Sequence, residues 1–169
     1  MLKTLLLILG LQVFVIYSQD SLPVTYNITD FPSQNQAIYG GWLTANSSTG
    51  SLLYYNLYSK DNTDINSTSN DKDIPLIIYL EGGPGDPSTF SAFTEIGPYV
   101  ATSDNFSFTD IYLTNNSNSF TQKYHLLVID QPVGTGFSVR RENDSVVSTD
   151  QAAENLMTFF ARFYEIYPN

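Results

Sequence analysis

Two glycine-containing segments carry the residues best suited to chemistry. The first, YLEGGPGDPS at 79–88, places Glu81 directly before a Gly-Gly-Pro-Gly run. Glycine tolerates positive φ and leaves backbone N–H groups uncovered, so a ligand oxygen can approach main-chain donors closely. Donors that wait about 3 Å from a developing negative oxygen are the requirement of an oxyanion hole. On local sequence alone, a tight glycine–proline turn is the simpler interpretation.

The second segment, PVGTGFS at 132–138, matches a phosphate-binding loop only weakly. It lacks the third glycine of G-x-G-x-x-G and the lysine of a P-loop, so a turn is the better prediction. Both segments follow apolar runs of strand length, IPLIIYL at 74–80 and YHLLVID at 124–130. Continuous apolar runs suit strands buried on both faces. Because sites in open α/β sheets collect beyond the carboxyl ends of strands, both segments are placed where such a site would form.

Three other segments must position these loops. QAIYGGWLT at 36–44 and LLYYNLYS at 52–59 are rich in β-formers and predict a hairpin. TFSAFTEIGPYV at 89–100 predicts a partly helical stretch that stops at its Gly-Pro pair. Residues 101–123 predict a long loop with one short strand at 111–113.

The last segment predicts the clearest helix. Ser148 can cap it, with Gln151 three residues later as the reciprocal partner, and Pro168 ends it. One broad apolar face holds Ala152, Ala153, Leu156, Phe159, Phe160 and Phe163. The order of hairpin, strand, loop, strand and helix predicts an α/β protein with a mixed sheet.

Composition limits the partners. The chain has 169 residues and a net charge of −10, which suits one domain or part of a larger one and excludes nucleic acid as a partner. There is no cysteine, so either the core is sufficient without disulfides or the chain is incomplete. Neither a cofactor nor a metal is expected, and no oligomeric state is predicted.

The N-terminus predicts export. Lys3, the apolar run at 4–17 and the small residue Ser18 are typical of a signal peptide at 1–18, with an uncleaved anchor or a buried core helix as alternatives. No second hydrophobic run follows, so no membrane association is expected after the signal peptide is cleaved. The expected location is the secretory pathway, either outside the cell or in a lysosome or vacuole. Six sequons predict a glycoprotein: Asn27, Asn46, Asn66, Asn105, Asn115 and Asn143.

Taken together, three motifs resemble those of the serine carboxypeptidase family. That family carries W-L-N-G-G-P-G-C-S-S, then Glu-x-Gly-Pro, then D-Q-P-x-G-x-G-F-S; here YLEGGPGDPS, TEIGPYV and IDQPVGTGFSV stand in the same order. The final helix is similar to the one that precedes the family's nucleophile. The resemblance covers roughly residues 35–169. It implies that 19–169 is the N-terminal part of an α/β-hydrolase fold with a mixed central sheet, incomplete here, in a family that removes C-terminal residues from peptide substrates.

The resemblance also implies roles for single residues. Gly83 matches the glycine whose N–H serves the oxyanion hole, and Glu81, Gly82 and Glu95 match substrate-binding positions, with a plain surface residue as the alternative for Glu95. The family has asparagine in place of Glu81 and cysteine in place of Asp86. An ionised glutamate would repel a substrate's terminal carboxylate, and neighbouring acids raise each other's pKa. We therefore expect either a site that works only at acidic pH or one without C-terminal specificity.

The family's catalytic triad has no match in this chain. No G-x-S-x-G occurs, Ser138 is not placed at a strand-to-helix turn, and His125 precedes the family's order of serine, acid and histidine, so a structural or surface role is expected for it. The 169 residues alone are predicted to be inactive, as a truncated product or an incomplete gene model. Strands at 74–80 and 126–130 are expected to have open flanks. A carboxypeptidase-like acyltransferase and an inactive secreted glycoprotein or binding module remain alternatives.

Overall fold

The computed structural model describes residues 24–25, 37–65, 73–103 and 111–168. These ranges contain seven strands and two α-helices. They are β1 Val24–Thr25, β2 Ile38–Asn46, β3 Ser51–Tyr58, β4 Leu76–Tyr79, α1 Ser88–Thr94, β5 Tyr99–Thr102, β6 Tyr112–Asn115, β7 His125–Asp130 and α2 Thr149–Ile166, with a 3₁₀ turn at Phe120–Gln122. The predicted signal peptide at 1–18 lies outside the described residues.

Five strands form one mixed sheet in the order β1-β2-β3-β7-β4. The predicted hairpin is confirmed, because β2 and β3 pair antiparallel. Strand β7 then pairs antiparallel with β3 and parallel with β4. The parallel pair is what brings the ends of β4 and β7 to the same edge of the sheet. The predicted α/β class with a mixed sheet is therefore confirmed.

The two predicted apolar strands differ in burial. Strand β7 is buried at all six positions, because β3 and β4 flank it on both sides. The expected open flanks at 126–130 were therefore wrong. Strand β4 lies at the edge of the sheet among the described residues, and Ile78 and Leu80 are each 39% exposed. Burial of 74–80 on both faces was likewise wrong, because a strand at the edge has one neighbour fewer to cover it.

The helices cover opposite faces of the sheet. Phe159 and Phe163 of α2 pack against the face that includes Tyr55 and Leu127, whereas Ala92 of α1 packs on the other. The predicted apolar face of α2 is narrower than expected, because the position of Ala153 is exposed.

The start of α2 follows the prediction. The Ser148 hydroxyl accepts the N–H of Gln151 at 3.3 Å. The Gln151 side chain reaches back to the N–H of Val147 at 2.8 Å, one residue before the cap itself. Side chains thus satisfy one main-chain donor in the first turn of α2 and one just before its cap.

The segment before β7 holds more structure than predicted. Strands β5 and β6 form a two-stranded antiparallel ribbon; the short strand predicted at 111–113 corresponds to β6, whereas β5 was not predicted. The Asn116 amide secures the ribbon by donating to the carbonyls of Glu95 and Gly97, at 2.7 and 2.8 Å.

No helix among the described ranges is long and apolar enough to cross a membrane.

Candidate functional site

The two glycine segments meet at one edge of the sheet, as the sequence predicted. Ser88 joins them: its hydroxyl accepts the N–H of Glu81 at 2.9 Å and donates to the carbonyl of Ile129 at 2.6 Å. The side-chain amide of Gln131 adds a 3.3 Å hydrogen bond to the carbonyl of Glu81. The 82–87 loop is therefore fastened at its base to the end of β7.

Gly83 lies exposed at the tip of the first loop. Its φ of +129° is a conformation that side-chain-bearing residues rarely adopt, and a Cβ there would lie 3.3 Å from the nitrogen of Gly85. No acceptor within the described ranges takes the N–H of Gly83. An exposed donor held on a turn fastened to the sheet is the arrangement that an incoming oxygen needs.

Glu81 is held beside this donor by three hydrogen bonds. The hydroxyls of Ser91 and Tyr79 both donate to Oε2, the latter at 2.9 Å, and the N–H of Gly82 donates to Oε1 at 3.0 Å. These bonds, the one from Ser91 above all, lower the pKa of Glu81. Donors therefore surround the carboxylate and stabilise its charged form, whereas the rise expected when a substrate carboxylate faces the two glutamates stays a prediction. The Gly82 N–H is engaged by this carboxylate.

Glu95 lies close enough to Tyr79 for its charge to affect the pKa of that phenol. Its backbone N–H donates to the carbonyl of Ser91 at 2.9 Å, where α1 ends, and its side chain is exposed. The pKa of Tyr79 is raised, first by its hydrogen bond to Glu81 and to a lesser degree by the charge of Glu95. Ser91 thus links the two predicted substrate-binding acids, through its hydroxyl to Glu81 and through its carbonyl to the N–H of Glu95.

Asp130 ends β7 and connects the two loops from below. It is fully buried, and its two oxygens accept the N–H of Thr89 at 2.8 Å and the N–H of Phe137 at 3.1 Å. Burial raises the pKa of Asp130, while these hydrogen bonds oppose the rise. The carboxylate therefore fixes the first turn of α1 and the second glycine segment at the same time.

Side chains from the hairpin complete the support of the second glycine segment. The indole of Trp42 donates to the carbonyl of Phe137 at 2.8 Å, and the ring of Tyr54 packs edge-on against that of Phe137. The Ser138 hydroxyl accepts the N–H of Tyr54 at 2.8 Å and donates to the carbonyl of Asp130. Ser138 is therefore a buried structural residue, and its position away from a strand-to-helix turn agrees with the prediction.

Sequence reasoning missed Ser88, Ser91 and Asp130. A polar residue that ends the buried run LLVID is a recognisable signal, because a buried carboxylate requires donors nearby. The serines carry no such signal, since their partners are distant in sequence. His125 is buried, and its Nδ1 accepts the N–H of Lys60 at 2.9 Å, which agrees with the predicted structural role.

Three predicted glycosylation sites fall within the described residues. Asn115 and Asn143 are exposed, whereas Asn46 is half-buried and its amide donates to Asp144 at 3.4 Å. Asn27, Asn66 and Asn105 lie outside the described residues. In the part of the chain that the structure describes, no group of three or more His, Cys, Asp or Glu could hold a metal ion.

Comparison with known proteins matches this arrangement to one family. A family model described as serine carboxypeptidase matches residues 29–169. The probable serine carboxypeptidase CPVL of Dictyostelium discoideum is 36% identical over 148 residues, which are 87% of this chain and 27% of that protein. The human protein of the same name is 33% identical over 139 residues, 82% of this chain and 26% of its own length.

A solved structure agrees with the sequence matches. The structure of Kex1(delta)p, a prohormone-processing carboxypeptidase from Saccharomyces cerevisiae, has a TM-score of 0.63 and 28% identity to this chain. The match covers 82% of this chain and 30% of that one. The chain thus spans less than a third of the length of each of these three proteins.

Proposed function

This chain belongs to the serine carboxypeptidase family, and we propose that it supplies the oxyanion donor and part of the substrate-terminus pocket of an enzyme that removes C-terminal residues from peptides. Its mixed sheet is part of an α/β-hydrolase fold, as the similarity to Kex1(delta)p indicates. The observation that carries the proposal is the exposed N–H of Gly83, held on a loop that Ser88 fastens to the sheet at the end of β4.

In this proposal the scissile carbonyl oxygen of a peptide rests on the N–H of Gly83. When a serine attacks the carbonyl carbon, negative charge develops on that oxygen and the N–H stabilises it. One such donor is worth about 3 kcal/mol of transition-state stabilisation. The nucleophile, the acid and the histidine match no residue of this chain, so the reaction requires residues that other parts of the family's domain provide.

Glu81 and Glu95 would face the terminal group of the peptide. The Ser91 hydroxyl donates to Glu81 and the Ser91 carbonyl accepts the N–H of Glu95, which supports placing both acids on one pocket wall. A substrate carboxylate brought next to an ionised Glu81 is disfavoured by charge repulsion, unless a proton is taken up with it. Binding of peptides with a free terminal carboxylate is therefore expected to improve as pH falls. Such an enzyme works best in an acidic compartment.

The test compares two substrates on the protein expressed from its full open reading frame. An N-blocked dipeptide with a free carboxylate should be cleaved about tenfold faster, in kcat/KM, at pH 5 than at pH 7, because proton uptake accompanies binding. The matching dipeptide amide should show a smaller dependence. Glu81→Asn should raise kcat/KM for the free peptide at pH 7 by about tenfold, since it removes one repelling charge.

Glu142→Asn, which removes an exposed acid in the 140–147 loop, is the matched control and should change neither profile. A neutral optimum for the free peptide that Glu81→Asn leaves unchanged would contradict the role given to Glu81. Absence of hydrolysis, together with failure to react with a fluorophosphonate that labels active serines, would contradict the carboxypeptidase activity itself.

A second candidate is a secreted glycoprotein or binding module without catalysis. The observation that favours it is Glu81, whose ionised carboxylate engages the Gly82 N–H at 3.0 Å and gives the pocket a negative charge. A soluble, monodisperse product that the fluorophosphonate does not label would support this candidate.

For either candidate we propose entry into the secretory pathway, with delivery outside the cell or to a lysosome or vacuole. The apolar leader at 1–18 and the six sequons support this. Secretion should yield a mature chain that starts near residue 19 and loses mass on treatment with an N-glycosidase.

A further inference from the structure

Asp130 makes hydrogen bonds with both of its carboxylate oxygens, and the proposed reaction does not use them. Its side chain is fully buried at the end of β7, and each carboxylate oxygen accepts one backbone N–H, from Thr89 and from Phe137. Those donors lie 41 residues before it and 7 residues after it. One side chain therefore couples the start of α1 to the second glycine segment, which are not neighbours in sequence.

The connection continues from Asp130 to the first glycine loop. Thr89 follows Ser88, and the Ser88 hydroxyl holds both the N–H of Glu81 and the carbonyl of Ile129. Residues 82–87 span the gap between these anchors, and Gly83 stands at their tip. A shift of the Asp130 carboxylate would therefore move the first turn of α1, and with it the base of the loop.

Gly136 shows how tightly the carboxylate is enclosed. A Cβ on Gly136 would overlap Oδ2 of Asp130 and would lie 2.7 Å from Cβ of Pro87. The second glycine segment therefore touches both the carboxylate and the last residue before α1. Within the described ranges, the bare backbone at 136 is what lets the two loops pack against each other.

We propose that Asp130 is a positioning residue, which holds the Gly83 donor in place by tying the two glycine loops together. The catalytic part of this inference rests on the proposed function, whereas the positioning part concerns the loop alone. Buried carboxylates that accept backbone donors stabilise the conformation that presents those donors. Loss of one acceptor leaves a buried N–H unpaired, which loosens the segment that carries it.

Amide hydrogen exchange measures the positioning directly. The N–H of Gly83 is exposed and exchanges fast in any case, so the reporters are the N–H of Glu81, bonded to Ser88, and the N–H of Asp86, bonded to the carbonyl of Gly82. Asp130→Asn keeps the shape of the side chain but can accept only one of the two donors. Exchange at both reporters is expected to rise by about tenfold in this variant.

Gly136→Ala provides a second route that leaves Asp130 intact, and it decides the question if Asp130→Asn does not fold. It displaces the carboxylate by overlap and should raise reporter exchange to a similar extent. Gly134→Ala is its matched control: it lies in the same loop with a φ of +92°, but a Cβ there meets Arg140 and not Asp130. Ser148→Ala, at the cap of α2, controls for a general loss of stability.

Reporter exchange that stays unchanged in Asp130→Asn and Gly136→Ala would overturn the proposal, as would an equal rise in the two controls. In the protein expressed from its full open reading frame, Asp130→Asn should lower kcat by about tenfold with KM within about twofold, because the donor acts on the transition state. If exchange responds but wild-type protein hydrolyses no peptide, the proposed function fails and the positioning role stands.

Discussion

The Ser88 hydroxyl accepts the N–H of Glu81 at 2.9 Å, seven residues back along the chain. The same hydroxyl donates to the carbonyl of Ile129 in β7. The loop that carries Gly83 is therefore closed at its base by a side chain and not by strand pairing. This single oxygen satisfies two main-chain groups at the sheet edge, where β4 has already ended.

Replacement of Ser88 by alanine should destabilise the protein. It removes the acceptor of one backbone N–H and the donor to one buried carbonyl, and unpaired buried polar groups cost about 1–3 kcal/mol. Urea unfolding should show a loss in that range with an unchanged slope. Ser47→Ala, at an exposed position, is the control and should stay within about 0.5 kcal/mol of wild type. A Ser88→Ala variant as stable as this control would show that the closure contributes nothing.

Ser91 should set the titration of Glu81. Hydrogen bonds, first from Ser91 and then from the Gly82 N–H and Tyr79, lower the pKa of Glu81 below its ordinary 4.5. A lowered folded-state pKa contributes stability that is present above the ordinary value and is lost as pH falls through the lowered one. Ser91→Ala should move the midpoint upward, toward 4.5, and so narrow the pH range over which this contribution is lost.

The amide of Gly82 reports this titration, because it donates to Oε1 of Glu81. Its chemical shift should follow pH with a midpoint below 4.5 in the wild type and at a higher pH in Ser91→Ala. Ser47→Ala should leave the midpoint unmoved. A wild-type midpoint at or above 4.5 would contradict the stabilised carboxylate.

Elements that depend on local patterns could be predicted from the sequence. Examples are the apolar runs that form β4 and β7 and the Ser148–Gln151 cap of α2. Each depends only on residues that are close in sequence. The ribbon of β5 and β6 could not be predicted, because it depends on pairing between strands ten residues apart and on Asn116, which reaches carbonyls 21 and 19 residues away. The burial difference between β4 and β7 depends likewise on which strands flank them.

In the candidate site, too, some features follow from local sequence and others depend on contacts between residues distant in sequence. Gly83 received its oxyanion role from the family resemblance of the motif, and that role stays a prediction; the positive φ and the exposed position that a glycine run favours are observed. The donors that lower the pKa of Glu81 could not be predicted, since the first of them, Ser91, lies ten residues away and comes close only because α1 folds back over the end of β4. Asp130 was missed as an organiser because its donors are brought together by the sheet.

The cap of α2 should contribute measurably to stability. The Ser148 hydroxyl satisfies the N–H of Gln151, and alanine at such a position costs about 1 kcal/mol. Ser148→Ala should therefore lower the urea midpoint, whereas Ser148→Asp should restore it, because aspartate also accepts this N–H and suits a helix N-terminus. Equal midpoints for Ser148→Ala and wild type would contradict the assigned cap.

Gly97 should tolerate no side chain, although its φ lies outside the positive region. A Cβ at this position would overlap the carbonyl oxygen of Ala92 and lie 2.9 Å from its carbonyl carbon, both in the backbone of α1. Backbone cannot rotate away as a side chain can, so Gly97→Ala should cost at least about 3 kcal/mol in the free energy of unfolding.

Gly41 in β2 provides the matched control for Gly97. It is also buried and also lacks positive φ, but a Cβ there meets only Cε1 of Tyr55, at 3.9 Å, which is an ordinary contact. Gly41→Ala should therefore be neutral or slightly stabilising, since alanine loses less backbone entropy on folding than glycine. Urea unfolding of both variants checks the contrast. If Gly97→Ala were as stable as Gly41→Ala, the close packing of α1 against the turn into β5 would be disproved.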